Sequence, residues 1–174
     1  MATHSAKSAP KTKAASLART RATGLASSKI PSPTNFADVY GLGPAERIAL
    51  VKRGIPAGDV FKIAKTIGRP KERLMKVLGL PRATVDRRAR AHQQLSIEHG
   101  ERLIGFSKLV GQVQVMVEQS GDPTGFDAAK WLGEWFERPL PALGGKCPAE
   151  YMDTSEGQQL VSGLIAKMQS GAYA

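Results

Sequence analysis

The densest group of side chains able to make specific polar contacts lies between residues 82 and 90. Four arginines and a threonine occur in this run: Arg82, Thr84, Arg87, Arg88 and Arg90. A guanidinium can donate two parallel hydrogen bonds to the major-groove edge of guanine, and it also neutralises phosphate charge. The run therefore predicts contact with DNA, with a solvated basic helix face as the ordinary alternative.

The surrounding pattern predicts the elements that would present this run. Pro70 and Pro81 each suit the start of a helix, and Gly79-Leu80 separates the two helices by a short turn. This arrangement indicates a helix-turn-helix whose second helix enters the major groove. Lys71 and Arg73, at the start of the first helix, would then meet phosphates.

Two more helices are predicted upstream of this pair. Pro44 and Pro56 open apolar patterns that stop at Gly54 and Gly68. Proline suits the first turn of a helix, and glycine ends helices because it adopts positive φ at little cost. We therefore expect a DNA-binding module of four short helices within residues 36–94.

The charge of the chain changes sign along its length. Residues 1–35 carry six basic residues and no acidic one, and residues 36–94 carry 13 basic and 5 acidic residues. Residues 95–174 carry 6 basic and 10 acidic residues, a net charge of −4. The cationic N-terminal part favours a polyanion such as DNA, and the anionic C-terminal part favours a different partner.

The first 35 residues form a basic tail. They are rich in Ala, Ser, Thr, Lys and Arg, with almost no large apolar side chains. Such a segment cannot bury enough surface to offset its conformational entropy, so we expect disorder. The tail could act as a solubilising segment or as an additional arm that contacts DNA, and its composition also resembles an organellar targeting peptide.

Residues 95–121 form the longest helical pattern, which we expect to connect the two halves of the chain. Ser96 suits the N-cap. The apolar residues follow steps of three and four: Leu103, Phe106, Val110, Val113 and Val117. Two heptads are too few to indicate a coiled coil, so packing within the monomer is favoured over a dimer seam.

Residues 122–174 combine two short amphipathic helices with a stiff connection. Trp131 and Trp135 share one helix face, which could be core or interface. Gly144-Gly145 permits a turn after the prolines that end this helix. Asp153, with Glu156 three residues later, suits the N-cap of a final helix, and Gly171 would end that helix.

This C-terminal run resembles the toxin-binding domain of Xre/MbcA/ParS-type antitoxins, which are the partners of RES-domain toxins. The residues that carry the resemblance are Trp131-Leu132, Pro141-Ala142-Leu143-Gly144-Gly145, Pro148, Asp153-Thr154, Gly157 and Gly171-Ala172-Tyr173. It extends over roughly residues 45–174, and the segment 78–88 is similar to the helix-turn-helix of these antitoxins.

The resemblance implies an all-α fold, with an Xre-like helix-turn-helix domain followed by a small helical toxin-binding domain. It also implies an antitoxin that inhibits an NAD-degrading RES toxin and represses its own operon. The residues expected at the toxin are Trp131, Trp135, Leu143, Gly144, Gly145, Gly171, Ala172, Tyr173 and Ala174. The alternative is a stand-alone helix-turn-helix regulator whose C-terminal half serves dimerisation or effector binding.

Enzymatic function finds no support in the sequence. There is no HExxH or GxSxG motif, no phosphate-cradling glycine loop and no Cys/His cluster with metal-ligand spacing. Cys147 is the single cysteine, which excludes an intrachain disulfide. We expect no catalytic residue, metal or cofactor, no membrane span and a cytoplasmic location. The expected partners are operator DNA and a RES-domain toxin, with a homodimer or a hetero-oligomer with the toxin as the assembly.

Overall fold

The computed structural model describes Met1, residues 31–121 and residues 123–169. Eight α-helices are present in this part of the chain: α1 Phe36–Gly41, α2 Pro44–Arg53, α3 Asp59–Thr66, α4 Lys71–Val77, α5 Arg82–Arg90, α6 Ile97–Ser120, α7 Ala128–Trp135 and α8 Ser155–Gln169. Two 3-10 turns, Pro141–Leu143 and Pro148–Tyr151, lie between α7 and α8. The all-α prediction is confirmed. Residues 2–30 of the basic tail, for which disorder is predicted, lie outside the described residues.

Glycines end the short helices, as predicted. Gly54, Gly68 and Gly79 have φ angles of 105°, 67° and 60°, and each follows one of the helices α2 to α4. These backbone conformations disfavour any residue with a Cβ atom. Each helix is therefore stopped by its own sequence, and the chain can turn sharply into the next one.

The start of α3 differs from the prediction at Pro56. The helix begins three residues later, at Asp59, because Pro56 lies in an isolated antiparallel bridge with Gln94. The Leu95 amide donates to the Ile55 carbonyl at 2.7 Å, and the Ala57 amide donates to the Gln93 carbonyl at 3.0 Å. This bridge joins the loop after α2 to the segment after α5, and so closes the helix-turn-helix domain.

Helix α6 is the centre of the fold. Four of its regularly spaced apolar residues are buried: Leu103, Phe106, Val110 and Val113. They pack within the chain, where α6 contacts α1, α2, α7 and α8. The prediction of packing within the monomer is thus confirmed for these four residues. The predicted N-cap is confirmed as well, since the Ser96 hydroxyl accepts a hydrogen bond from the His99 amide at 3.3 Å.

Helix α1 was not predicted, and it packs tightly against α6. Phe36 and Val39 are its buried residues. The contact falls at Gly111, where an added Cβ atom would lie 2.0 Å from the Phe36 carbonyl oxygen. Glycine at this position lets two helix backbones approach more closely than any side chain would allow.

The predicted cap of α8 is wrong by one residue. The Thr154 hydroxyl, not the Asp153 carboxylate, accepts from the Gly157 amide, at 3.1 Å. Asp153 instead lies against the turn after α4. Its Cβ atom is close enough to Gly79 that a Cβ added at Gly79 would lie 3.1 Å away. The residue before the cap therefore belongs to a contact between the two halves of the chain.

We predict that Gly111→Ala lowers the free energy of unfolding by about 1–3 kcal/mol, the usual cost of overpacking a tight contact. The added methyl must displace the α1 backbone, which cannot rotate away as a flexible side chain could. Urea unfolding followed by circular dichroism measures the change.

The matched control is Gly163→Ala in α8. An added Cβ there meets nothing within 4 Å, so the free energy of unfolding should rise by about 0.5–1 kcal/mol through helix propensity. Equal stability of the Gly111→Ala variant and the wild type would contradict the packing of α1 on α6.

Candidate functional site

Helices α4 and α5 form the predicted helix-turn-helix, with the turn at Gly79. Val85 and Leu80 are buried and fix α5 against the domain. The opposite face of α5 carries Arg87 and Arg90, both exposed, with Thr84 half-buried beside them. The structure thus gives α5 an outward basic face, as the sequence predicts.

Two of the predicted DNA contacts take part in a local ion-pair network. The Lys71 ammonium lies 2.7 Å from the Asp86 carboxylate, and Arg82 approaches Asp86 at 3.8 Å and Glu72 at 3.4 Å. The hydrogen bond from Lys71 lowers the pKa of Asp86. Lys71 also sits 4.4 Å from the centre of the Phe61 ring. These cations hold α4 and α5 together as well as facing outward.

Arg88 links the C-terminal end of α5 to the segment that follows it. Its guanidinium donates to the Gln94 carbonyl at 3.0 Å, across the turn that follows the helix. By contrast, Arg87 and Arg90 donate no side-chain hydrogen bond within the described part of the chain. They are therefore the arginines of α5 most available to another molecule.

Arg73, another of the predicted DNA contacts, is paired within the chain. Its guanidinium forms a bidentate ion pair with Glu137, donating from Nε to Oε1 at 2.7 Å and from Nη2 to Oε2. The hydrogen bond from Arg73 lowers the pKa of Glu137 and raises that of Arg73. Because Glu137 follows α7, Arg73 ties the helix-turn-helix to the C-terminal domain.

Two further arginines, which the sequence analysis did not single out, reinforce this connection. Arg69 donates to the Gly133 carbonyl of α7 at 3.0 Å. Arg102 of α6 donates to the carbonyls of Leu78 and Gly79, at 3.3 and 3.1 Å. The turn between α4 and α5 is thereby held by α6, and the two domains pack as one body.

The aromatic face of α7 is mostly core. Trp135 is 5% exposed and Phe136 is 3% exposed. Trp131 is half-buried and stacks on Trp135 with ring centres 5.8 Å apart, while the exposed Phe126 lies 6.0 Å from Trp131. The prediction that Trp135 reaches a partner is therefore corrected, because its ring is enclosed. Trp131 and Phe126 remain at the surface.

The connection between α7 and α8 presents its glycines to solvent. Gly144 and Gly145 are exposed, have φ angles of 65° and 83°, and have no atom within 4 Å of an added Cβ. Leu143 is buried, so its side chain anchors this connection from inside. The predicted residues Gly171, Ala172, Tyr173 and Ala174 lie outside the described residues.

Other kinds of site receive no support where the structure is described. There, no group of three or more His, Cys, Asp or Glu side chains could hold a metal ion. The half-buried Cys147 thiol donates to the Glu137 carbonyl at 3.3 Å, next to the Arg73 pair. No helix among the described residues is long and apolar enough to cross a membrane.

Two families of antitoxin domains match this chain. The antitoxin Xre-like helix-turn-helix domain matches residues 46–108, and the antitoxin Xre/MbcA/ParS C-terminal toxin-binding domain matches residues 125–171. The chain is 42% identical over 142 residues to the Prs ADP-ribosylating antitoxin of Sphingobium sp. (strain YBL2), covering 82% of this chain and 89% of that protein. The chain belongs to the Xre family of antitoxins.

A more distant relative agrees with this assignment. Antitoxin Xre of Yersinia enterocolitica serotype O:8 / biotype 1B (strain NCTC 13174 / 8081) is 25% identical over 123 residues, which cover 71% of this chain and 78% of that protein. This antitoxin thus has a helix-turn-helix domain containing α2 to α5 and a toxin-binding domain containing α7 and α8. The match of residues 125–171 to a toxin-binding domain favours an antitoxin over the alternative of a stand-alone regulator.

We predict that Glu137→Gln destabilises the antitoxin at neutral pH and much less in acid. The folded-state pKa of Glu137 is lowered, so the pair contributes above the ordinary carboxyl pKa of about 4.3 and is lost as pH falls through the lowered value. Because both side chains are about one-third exposed, the expected loss at pH 7 is only about 1 kcal/mol.

Urea unfolding at pH 7, 5 and 3 tests this pH dependence. Glu134→Gln is the control, since Glu134 makes a solvent-exposed pair with Arg138 at 3.6 Å and should change stability little. A Glu137→Gln variant as stable as the wild type at pH 7 would show that the pair does not fasten the domains.

Proposed function

We propose that this antitoxin neutralises a RES-domain, NAD-consuming toxin through residues 125–171 and represses its own operon through α4 and α5. Two matched antitoxin domains, together with a basic α5, carry the proposal. Within the described residues, the Arg87 and Arg90 side chains of α5 donate no hydrogen bond. The antitoxin acts in the cytoplasm by occupying surfaces of the toxin and of DNA, without catalysing a reaction of its own.

The chemistry of the toxin is inferred from the relatives. RES toxins, the partners implied by the resemblance of the C-terminal run, consume NAD. The Sphingobium relative bears Prs ADP-ribosylation in its name, and ADP-ribosyl transfer also consumes NAD. A toxin that cleaves the nicotinamide bond of NAD and passes ADP-ribose to water or to a protein satisfies both lines of support.

The DNA interface is proposed to centre on the first two turns of α5. Arg82, Thr84 and Arg87 would face base edges there, since the N-terminal part of a recognition helix enters the major groove. Arg90 would meet the phosphate backbone. A second helix-turn-helix, supplied by a homodimer or by a hetero-oligomer with the toxin, would read the second half of the operator.

The toxin interface is proposed to include the exposed edge of Trp131 and the Gly144-Gly145 connection. Exposed tryptophan is the kind of side chain that dominates binding energy at protein interfaces. The chain end, Gly171 to Ala174, would approach the entrance of the toxin's active site, as the resemblance implies. Tyr173 would supply contact area there with few rotatable bonds to immobilise.

We predict that Arg87→Ala and Arg90→Ala each weaken binding to the antitoxin's own promoter DNA. The expected loss is about 1–3 kcal/mol where the arginine reads a base. Where the arginine meets phosphate, the plot of log K against log salt concentration should become less steep, with its negative slope reduced in magnitude by about 0.9. Fluorescence anisotropy over a series of salt concentrations measures both quantities.

Arg138→Ala is the matched control for the DNA experiment. It removes the same charge from an exposed side chain in the toxin-binding domain, so promoter affinity should stay unchanged. Unaltered binding by an Arg87→Ala/Arg90→Ala double variant with native thermal stability would refute the role of α5.

We predict that removing Ala172 to Ala174 leaves thermal stability and promoter binding unchanged but weakens toxin neutralisation. These residues follow α8 and are expected to contribute contact with the toxin, not core packing. Growth and NAD content of cells that produce the toxin with full-length or shortened antitoxin measure neutralisation. Full protection by the shortened antitoxin would limit the inhibitory surface to the domain before residue 172.

A further inference from the structure

A groove with a volume of about 530 Å³ runs between α2, α6 and the start of α8. Its base includes the buried side chains of Val51, Ile104 and Leu109. At its edges stand Ile48 and Ile97, which are 55% and 63% exposed. Large aliphatic side chains from two separate helices thus line one open groove, an arrangement typical of a surface that another protein covers.

The polar residues of the groove are mainly cationic. Arg47, Lys52 and Lys108 line it, against a single acidic residue, Glu101. The Arg47 guanidinium is used internally, since it donates to the carbonyls of Leu42 and Tyr40. The groove therefore carries a positive charge that is only partly matched within the chain.

Among these cations, Lys108 gives the strongest indication of an acidic partner. It is half-buried, and burial together with nearby Arg47 lowers its pKa. Within the described residues its ammonium forms no hydrogen bond and no ion pair. A partly desolvated, unpaired ammonium is unfavourable, and a carboxylate arriving with a partner would relieve that cost.

Three possible occupants fit the groove poorly. DNA would match the cations but would leave the two isoleucines without an apolar partner. A second copy placed about a twofold axis would bring Lys52 and Lys108 toward their own equivalents. The tail before residue 31 carries six basic residues and no acidic one, so like charges would repel it. What fits is an apolar segment that carries carboxylates.

The groove is also continuous with the toxin-binding domain. Ser155, Gln158 and Gln159 of α8 form one wall and lie within residues 125–171. Ile48 and Ile97, on the opposite side, lie within the helix-turn-helix domain, residues 46–108. A partner that binds the C-terminal domain can therefore extend into the groove without leaving the surface it already covers.

We propose that the toxin inserts an acidic, apolar segment into this groove, so that it contacts both domains of the antitoxin. This inference rests on the proposed toxin neutralisation. Carboxylates of the segment pair with Lys108 and Lys52, and its apolar side chains cover Ile48 and Ile97. The toxin then holds α2 and α6 of the helix-turn-helix domain in place while it occupies the C-terminal domain.

The test measures binding of the purified RES-domain toxin, encoded beside the antitoxin, to the full-length antitoxin by calorimetry. Lys108→Glu and the Ile48→Ser/Ile97→Ser double variant should each weaken binding about tenfold or more, the change expected when buried apolar contacts or a close charge pair are lost. Lys108→Gln should weaken it less than Lys108→Glu. These side chains are not in the central core, and melting temperatures identify any variant that fails to fold.

Lys65→Glu is the matched control, because Lys65 is exposed on α3 and does not line the groove. It should leave toxin affinity unchanged. If the wild type binds the toxin and the folded groove variants bind equally tightly, the groove proposal is overturned while toxin neutralisation stands. If the variants instead change only the antitoxin's mass in light scattering, a second copy occupies the groove and the proposal is again overturned. A wild type that does not bind the toxin at all refutes both proposals.

Discussion

Helix α6 can contact several elements at once because three of its residues have no side chain. An added Cβ atom would lie 3.1 Å from Ile55 at Gly100, 1.7 Å from Gln158 at Gly105 and 2.0 Å from the Phe36 carbonyl at Gly111. Each glycine thus admits a different neighbour: the loop after α2, helix α8 and helix α1. Glycine weakens a helix by roughly 0.5–1 kcal/mol per residue, so this packing must more than offset that cost.

Polar side chains then fix the register of α8 on α6. The buried Gln158 donates to the carbonyls of Arg102 and Met152, at 3.1 and 2.9 Å. Gln112 donates to the Ser162 carbonyl at 3.0 Å and also bonds to its hydroxyl. Hydrogen bonds of buried amides favour the arrangement in which they form, because sliding the helix would leave these amides unpaired. The toxin-binding domain therefore packs on the same helix that holds the turn between α4 and α5.

The sequence predicted features whose signals are local and missed those that depend on distant residues. Proline and glycine act on their own neighbours, so most boundaries of α2 to α5 could be placed from the sequence. The partner of Arg73 lies 64 residues away, and no pattern near Arg73 distinguishes an arginine that meets phosphate from one that pairs within the chain. Trp135 shows the same limit, since helical spacing groups it with Trp131 but does not show how deeply each ring lies.

Because internal pairing of this kind is not visible in the sequence, the net charge of the antitoxin does not give its affinity for DNA. Residues 36–94 carry a net charge of +8, but several of these cations are engaged inside the structure. Arg73 is committed to Glu137, Arg88 to the end of α5, and Lys71 to Asp86. Counterion release follows the phosphates that are actually neutralised, not the formal charge of the domain. For the proposed DNA interface, the salt dependence should therefore be set mainly by Arg87 and Arg90, whose side chains donate no hydrogen bond among the described residues.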